Sequence, residues 1–551
     1  MVILQINTNI YAFLSIEEDT VIEGIITGAD DLGNPIQINR INPIISTNIQ
    51  LEKDISELVY QSLINVDEKG NPKPVLADFF RLEIGKRYQF KLKPDIYWSD
   101  GTPITANDVV QTFNLVKSLE SNAQLSNIYS KAANKLEVIP SESDPLVFEF
   151  RVTEDNVIPN FYEAISFKIL PAHLIGDLTP ENIALADPFI NRNPVGSGPY
   201  MLSLATPDYI DLIKNPYYQN DESKINKIRF KFFTNEEKAL EALSHGQIHS
   251  LAGISVSSAK KLENNSNLKI MNSDVMYNQF WGLFFNLSET GPASLKNVNV
   301  RQAISSALNK DELLSTIDNF GEVAVGPIPK TSFAFSKEEK YSYNLVKAEE
   351  LLEKAGYIKA EDGIRIKDNA RLSFNLTYVD NYDRAVMAEN LKKQLALIGI
   401  EINLNKVTLQ VSVEEYIIPR NFDLLFYGVQ TLIDPDRYEL FHSSQKSHPG
   451  LNISSYVSES KRTQVVEGKT VKVPAVDDDL NDARRLVDEK TRQKKYEDFQ
   501  AIIAEEVPVV FLFHPEDVYI VNKRITNISL KGNNAIEKRF TNIADWVIRA
   551  E

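Results

Sequence analysis

Between residues 86 and 113 the chain reads KRYQFKLKPDIYWSDGTPITANDVVQTF, and its hydrophobic period changes within that run. Tyr88, Phe90 and Leu92 alternate with Arg87, Gln89 and Lys91, the pattern of a strand buried on one face. Thr105-Ala-Asn-Asp108 then has capping-box spacing, with Thr105 as N-cap and Asp108 at N3. Val109, Val110, Phe113 and Val116 supply the apolar face of the helix that follows. Asp100-Gly101-Thr102-Pro103 between the two is turn chemistry. Every polar residue of the run thus has a structural task, and the stretch needs no catalytic explanation.

The same mixture of periods continues along the chain. Helical spacing is read over 299–317, 344–356 with Gly356 as its stop, and 383–397 before a glycine and an alternating strand that ends near 407. Residues 477–507 form one long or broken amphipathic helix, and Pro508–Phe513 is a buried strand. The segment 67–72 is a turn, and 456–476 an exposed loop or hairpin. The fold class is α/β with several mixed sheets. A length of 551 residues implies about three domains at roughly 100–200 residues each. Breaks fall near 58, 190, 273 and 509.

A net charge of −17 repels phosphate backbones, so nucleic acid is excluded as a partner. The absence of cysteine removes disulfides, thiolate metal sites and thiol nucleophiles. The N-terminal run MVILQINTNIYAFLSI leaves two readings open: a buried strand, or the remainder of a signal or anchor.

Candidate catalytic groups are sparse. His245 and His249 have metal-ligand spacing on a helix, but Gly246 weakens the helix and no Glu follows the first histidine, so both read as surface histidines near a helix end. Gly196-Ser-Gly198 lacks the spacing and lysine of a phosphate loop. Asp434, His442 and His448 could serve a hydrolase, yet the chain has no nucleophile elbow. No catalytic residue, cofactor or metal site is therefore assigned. Aromatic residues collect where strands end: Tyr277, Phe280 and Trp281, then Phe426 and Tyr427, then Phe511 and Phe513. Most fit a core, and some fit the lining of an apolar pocket.

Beyond this point the residues resemble a family. LVYQSLINVDEKGNPKPVLADFF (58–80), YQFKLKPDIYWSDGTPITANDVVQTF (88–113), NPVGSGPY (193–200), FWGLFFNLSETGPASLKNVNVRQAISSALNKDELL (280–314), NFDLLFYGVQTLIDPDRYELFHSSQ (421–445) and VPVVFLF (507–513) resemble, in order, segments of family 5 extracellular solute-binding proteins, the peptide-binding components of ABC importers. The resemblance covers about 22–551. It implies a two-lobed, periplasmic-binding-protein-like fold of type II with three domains and a hinge between the lobes. Domain I would comprise 22–57, 190–272 and 510–551, domain II 58–189 and domain III 273–509, with 1–21 a stub outside them. It implies a monomeric, non-enzymatic, extracytoplasmic receptor that closes on a peptide or other small solute and delivers it to a membrane permease. Ligand contacts are expected from Asn42, Tyr277, Asn278, Phe280, Trp281, Gly428, Val429, Gln430, Thr431, Asp434, Phe511 and Phe513. In the family an acid a few residues after a Gly-Trp pair meets the peptide amine. Here Val429 replaces the tryptophan and the first acid is Asp434. The alternative ligands are an oligosaccharide or a metal chelate.

Overall fold

A computed structural model describes residues 19–29, 33–36, 41–45, 50–67, 69–122, 127–153, 158, 160–183, 193–219, 223–337, 339–466, 469–532 and 535–549. The N-terminal run 1–16 lies outside them, and Thr20 and Val21, expected in the stub 1–21, begin the strand Thr20–Ile26. The chain divides into two compact units, 1–274 with 517–551, and 275–516.

The first unit holds a seven-stranded sheet. Its order is Leu268–Asn272, Val518–Asn522, Ser250–Ala252, Thr20–Ile26, Lys227–Phe233, Tyr209–Lys214, Tyr200–Ala205. Thr20–Ile26 lies in the middle and pairs in parallel with both neighbours. A four-stranded antiparallel sheet contains the strand read from alternation, Arg87–Leu92, with Tyr88, Phe90 and Leu92 buried. Phe90 packs on Phe148 and Phe150 at 5.6 and 5.4 Å between ring centres.

The helix after the turn spans Ala106–Ser118, with extended backbone at Thr105. The Asp108 carboxylate accepts from the Thr105 N–H at 2.8 Å, the Trp98 indole N–H at 3.2 Å and the Ala172 N–H at 2.8 Å. Trp98 is fully buried, so one acid fixes the turn, the helix start and a distant loop together. Gly198 serves close approach: its N–H donates to the Val59 carbonyl at 2.7 Å, where a Cβ would collide with the backbone of Leu58 and Val59.

At the base of this unit lies a buried charge network. The Arg539 guanidinium donates to both Asp54 oxygens at 2.9 and 2.6 Å and to Glu23 at 3.2 Å. All three side chains are sealed from solvent. Burial pushes the Asp54 carboxyl up to about 6 against the pull of Arg539. Nearby, burial alone would raise Glu57, but the Lys168 and Lys538 ammoniums at 2.8 and 2.9 Å hold it down at about 2.

The second unit is built on a six-stranded sheet flanked by helices. Helical spacing over 299–317 resolves into two helices, Val298–Ala307 and Lys310–Ser315. Asn309 breaks the run because its side chain caps the second helix through the Glu312 N–H. Likewise 477–507 divides into Ala475–Arg485 and Glu489–Glu506, the latter capped by Asp488. The 456–476 segment contains a hairpin, Lys461–Val466 with Lys469–Pro474.

The end of the Glu489–Glu506 helix is heavily tied. Buried Arg301 donates to the carbonyls of Glu506 (2.9 and 2.6 Å), Val507 (3.1 Å) and Leu295 (2.8 Å). Val507 takes a left-handed conformation there, φ 44°, costly for a β-branched residue. The following strand, Val509–Pro515, pairs within the second unit, so the chain crossing expected near 510 falls at 516/517 and the other at 274/275.

Two stability outcomes follow from these charges. Arg539→Ala leaves two buried carboxylates unpaired and is expected to cost about 3–5 kcal/mol in denaturant unfolding. Glu57 contributes stability that is complete above its unfolded pKa and is lost as pH falls from about 4.5 toward 2. Glu57→Gln should therefore flatten the melting temperature over that window, measured by circular dichroism.

Candidate functional site

The six strands are ordered Gly321–Val323, Val509–Pro515, Gln279–Phe285, Leu424–Gln430, Ser373–Val379, Glu401–Val407. Gln279–Phe285 is antiparallel to both neighbours, with Gln279 opposite Gln430 and Trp281 opposite Gly428 and Phe513. One end of this sheet therefore gathers the start of Gln279–Phe285, the ends of Leu424–Gln430 and Val509–Pro515, and the start of Gly321–Val323. Both chain crossings leave from this end.

Most of the expected site residues meet here. The Thr431 N–H donates to the Asn278 carbonyl at 2.7 Å, joining the 277–281 and 428–431 segments. The Trp281 ring lies on Gly428, where a Cβ would come within 2.8 Å of Cε2. Phe426 flanks the indole at 5.1 Å, Phe513 lies nearly parallel at 6.1 Å, and the Arg384 guanidinium stands 5.6 Å from the ring centre. The glycine thus has an indole against it, delivered by the neighbouring strand instead of by position 429. Val429 is half-buried on the opposite face, and Gln430 is exposed.

Phe511 and Phe513 part company. The pairing skips Leu512: Phe513 faces Trp281 and Phe511 faces Gly282. This bulge reverses the alternation, so Phe513 joins the core beneath Trp281 while Phe511 packs with Phe280 in the core on the other face. Phe280, Phe511 and Phe513 are 2, 5 and 3% exposed, so all three pack in the core, and Phe511 also borders a cavity with Pro327, Gln500 and Val509.

Asp434 is also committed elsewhere. Both its oxygens accept from Arg492 Nη2 at 2.9 Å, and one accepts from the Asp436 N–H. Burial raises its pKa, opposed by Arg492. A ligand amine would have to share this carboxylate with Arg492. Asn42 belongs to the first unit, where its Oδ1 accepts from the Ile44 N–H. Its buried Nδ2 has no hydrogen-bond partner among the described residues.

Sequence reasoning missed a polar group at this sheet end. The Tyr277 hydroxyl donates to Glu322 Oε2 at 2.9 Å, and the same oxygen accepts from Lys330 Nζ at 2.5 Å. Burial and the bond to Glu322 raise the Tyr277 pKa. His514, opposite Glu322 in register, meets the Tyr277 ring at 5.3 Å, and burial lowers its pKa. No local spacing marks these residues, because strand pairing brings them together.

The other candidates find ordinary roles. His249 is buried, not at the surface: its Nδ1 accepts the Ile22 N–H, and burial holds its pKa near 4. His442 Nδ1 contacts the Ser444 hydroxyl at 2.8 Å, and its Nε2 contacts the Asn481 amide at 3.1 Å with an Asp477 oxygen 4.0 Å away. Among the described residues no group of His, Asp and Glu is gathered to hold a metal. Nor is any helix long and apolar enough to cross a membrane.

Two units joined by two crossings, each with its own sheet, are the architecture of two-lobed solute-binding proteins. The family model "Bacterial extracellular solute-binding proteins, family 5 Middle" matches residues 71–449, and the chain belongs to that family. It is 29% identical over 490 residues to the oligopeptide-binding protein AppA of Bacillus subtilis, covering 86% of this chain and 84% of AppA. The structure of that AppA in complex with a nonapeptide matches with a TM-score of 0.75 at 27% identity, over 96% of this chain and 99% of the other. NikZ from Campylobacter jejuni, in complex with Ni(L-His), matches with a TM-score of 0.78 at 25% identity, over 97% and 100%.

Gly428→Ala should displace the Trp281 ring and cost about 1–3 kcal/mol. The other two tryptophans, Trp98 and Trp546, are fully buried. A changed emission wavelength at unchanged far-ultraviolet circular dichroism would therefore report Trp281, and an unaltered spectrum would contradict the packing.

Proposed function

We propose that this chain is the extracytoplasmic substrate-binding protein of an ABC importer. It acts as a monomer without catalysis, binds peptides between its lobes and presents them to a membrane permease. The observation that carries this reading is the convergence of strand ends, exposed Gln430 and half-buried Trp281, Gly428 and Thr431 at the sheet end from which both crossings depart. An extended peptide is bound through main-chain hydrogen bonds together with pockets for its side chains. The peptide-binding relative covered over most of its length supports the same ligand class.

The crossings serve as the hinge. Ser273 N–H donates to the Asp517 carbonyl at 2.9 Å within the first unit, and Met276 N–H to the Pro515 carbonyl at 2.8 Å within the second. Few residues lie between these bonds, so rotation is confined to 274–275 and 516. Ligand favours the closed form to the extent that it binds that form better. Within the first lobe, the seven-stranded and four-stranded sheets serve as the centres of separate domains, the second inserted over about 58–189.

A metal chelate is the second reading. Residues 428–433 contain no acid, and Asp434 is held by Arg492, so the usual amine anchor is missing. The nickel-histidine complex of a similar fold gives that reading its chemistry.

Calorimetry with peptides of two to nine residues and with nickel-histidine separates the two. Peptide binding with ligand-dependent compaction in small-angle scattering is expected. Heat from nickel-histidine alone would transfer the assignment to the chelate, and turnover of any probe would overturn both.

A further inference from the structure

The strand Ala77–Glu83 stands at one edge of the four-stranded sheet, paired with Arg87–Leu92. Its inward residue Phe79 packs on Phe90 and Tyr162, at 5.8 and 5.1 Å between ring centres. Alternation should then turn polar residues to water, as the neighbouring strand does with Arg87, Gln89 and Lys91. Instead, the outward residues nearest the turn are Phe80, Leu82 and Ile84, which are 60, 49 and 63% exposed. The pairing shifts between Arg81 and Glu83, a bulge that leaves Leu82 with no residue opposite it in register.

Ile84 occupies the turn itself. The Lys86 N–H donates to the Glu83 carbonyl at 3.2 Å, closing a four-residue turn in which Gly85 takes φ 72°. Turn positions ordinarily hold Gly, Pro, Asn, Asp or Ser, each for a backbone reason. A β-branched apolar side chain there serves no such purpose, so its use lies outside the hairpin.

The form of this surface selects its occupant. Ile84 is at the apex, and Leu82 and Phe80 step back from it along one strand. A projecting apolar tip suits a medium that yields around it, and the boundary between lipid headgroups and acyl chains is such a medium. Charge points the same way. Between Phe80 and Phe90 stand Arg81, Lys86 and Arg87 against one acid, Glu83. Arg87 is bonded to Glu149 at 2.8 Å, whereas Arg81 is exposed and makes no ion pair among the described residues. The chain's net charge of −17 repels an anionic surface from afar. At physiological salt, however, exposed charges are screened beyond about 8 Å, so the groups at the tip decide the contact. Long basic side chains lay their stems along apolar surface and place their heads among phosphates.

We propose that this hairpin tip is a membrane-surface contact, with Phe80, Leu82 and Ile84 entering the acyl boundary of a bilayer and Arg81 and Lys86 meeting its anionic headgroups. One small tip gives a reversible hold, which keeps a receptor at the membrane without fixing it there. The contact goes beyond the solute-binding reading and does not depend on which solute is bound.

The test is flotation of the full chain with vesicles of phosphatidylcholine and phosphatidylglycerol in equal parts, and with vesicles of phosphatidylcholine alone. The native chain should float with the mixed vesicles and bind the neutral ones more weakly. The double variant Leu82→Ser, Ile84→Ser should bind both about tenfold more weakly at an unchanged melting temperature, since neither side chain is in the core. The double variant Arg81→Ser, Lys86→Ser should lose the preference for the anionic vesicles and keep the weak binding to the neutral ones. Absence of the native chain from both vesicle fractions overturns the proposal, as does equal flotation of the apolar double variant. A native dimer in sedimentation equilibrium that this variant dissolves, without flotation, overturns it in favour of a second copy of the chain.

Discussion

The second unit depends on how one helix ends. Glu489–Glu506 stops against Arg301, whose guanidinium collects four carbonyls, from this helix end and from the short helix Ala293–Lys296. Such a cation also opposes the negative end of the helix dipole. The side chain of Glu506 completes the junction. Its two oxygens accept from the Tyr456 hydroxyl, Ser458, the Glu459 N–H, and both the N–H and hydroxyl of Ser460. Burial would raise this carboxyl, but those donors hold it below the usual range. Three residues further on, the chain enters Val509–Pro515, the strand that supports Trp281. A helix end, a loop and a strand between two others are thereby set by one arginine and one glutamate.

That junction governs the sheet end. The strand must pass Gln279–Phe285 in a register that places Phe513 beside Trp281, and the bulge at Leu512 makes this compatible with a core on each face. Gly428 then accepts the indole from the neighbouring strand. The half-buried tryptophan is a consequence of packing on three strands, and its edge is what the sheet presents beside Gln430 and Thr431. The proposed ligand site is thus built on elements made rigid by core interactions.

Much of the architecture was legible because its causes are local. Tyr88, Phe90 and Leu92 announce their strand by alternation, and Thr105 with Asp108 marks the helix start. Asn309 and Asp488 were the less visible signals. Each divides a stretch of helical spacing, since a side chain that caps a helix also interrupts the one before it. The site was legible only as segments. Tyr277 to Trp281 and Gly428 to Thr431 do come together, whereas the opposite facing of Phe511 and Phe513 was hidden because a bulge cannot be seen in an unpaired strand. Glu322 and Lys330 escaped notice because their partner Tyr277 lies 45 residues before Glu322 and reaches it only through sheet pairing. Asp434 looked available because Arg492, which holds it, is 58 residues away.

The order of strands in the first unit has a temporal consequence. Val518–Asn522 sits inside the seven-stranded sheet, between Leu268–Asn272 and Ser250–Ala252, and Arg539 neutralises Glu23 and Asp54 from still later in the chain. A ribosome making this protein therefore releases the whole second unit before it supplies the pieces that finish the first. Until then the nascent chain carries an open sheet edge and two acids awaiting their counter-ion, a state that invites wrong pairing. The protein's vulnerable interval is the synthesis of residues 517 to 539, and a chain cut short there would lose the lobe that was begun first.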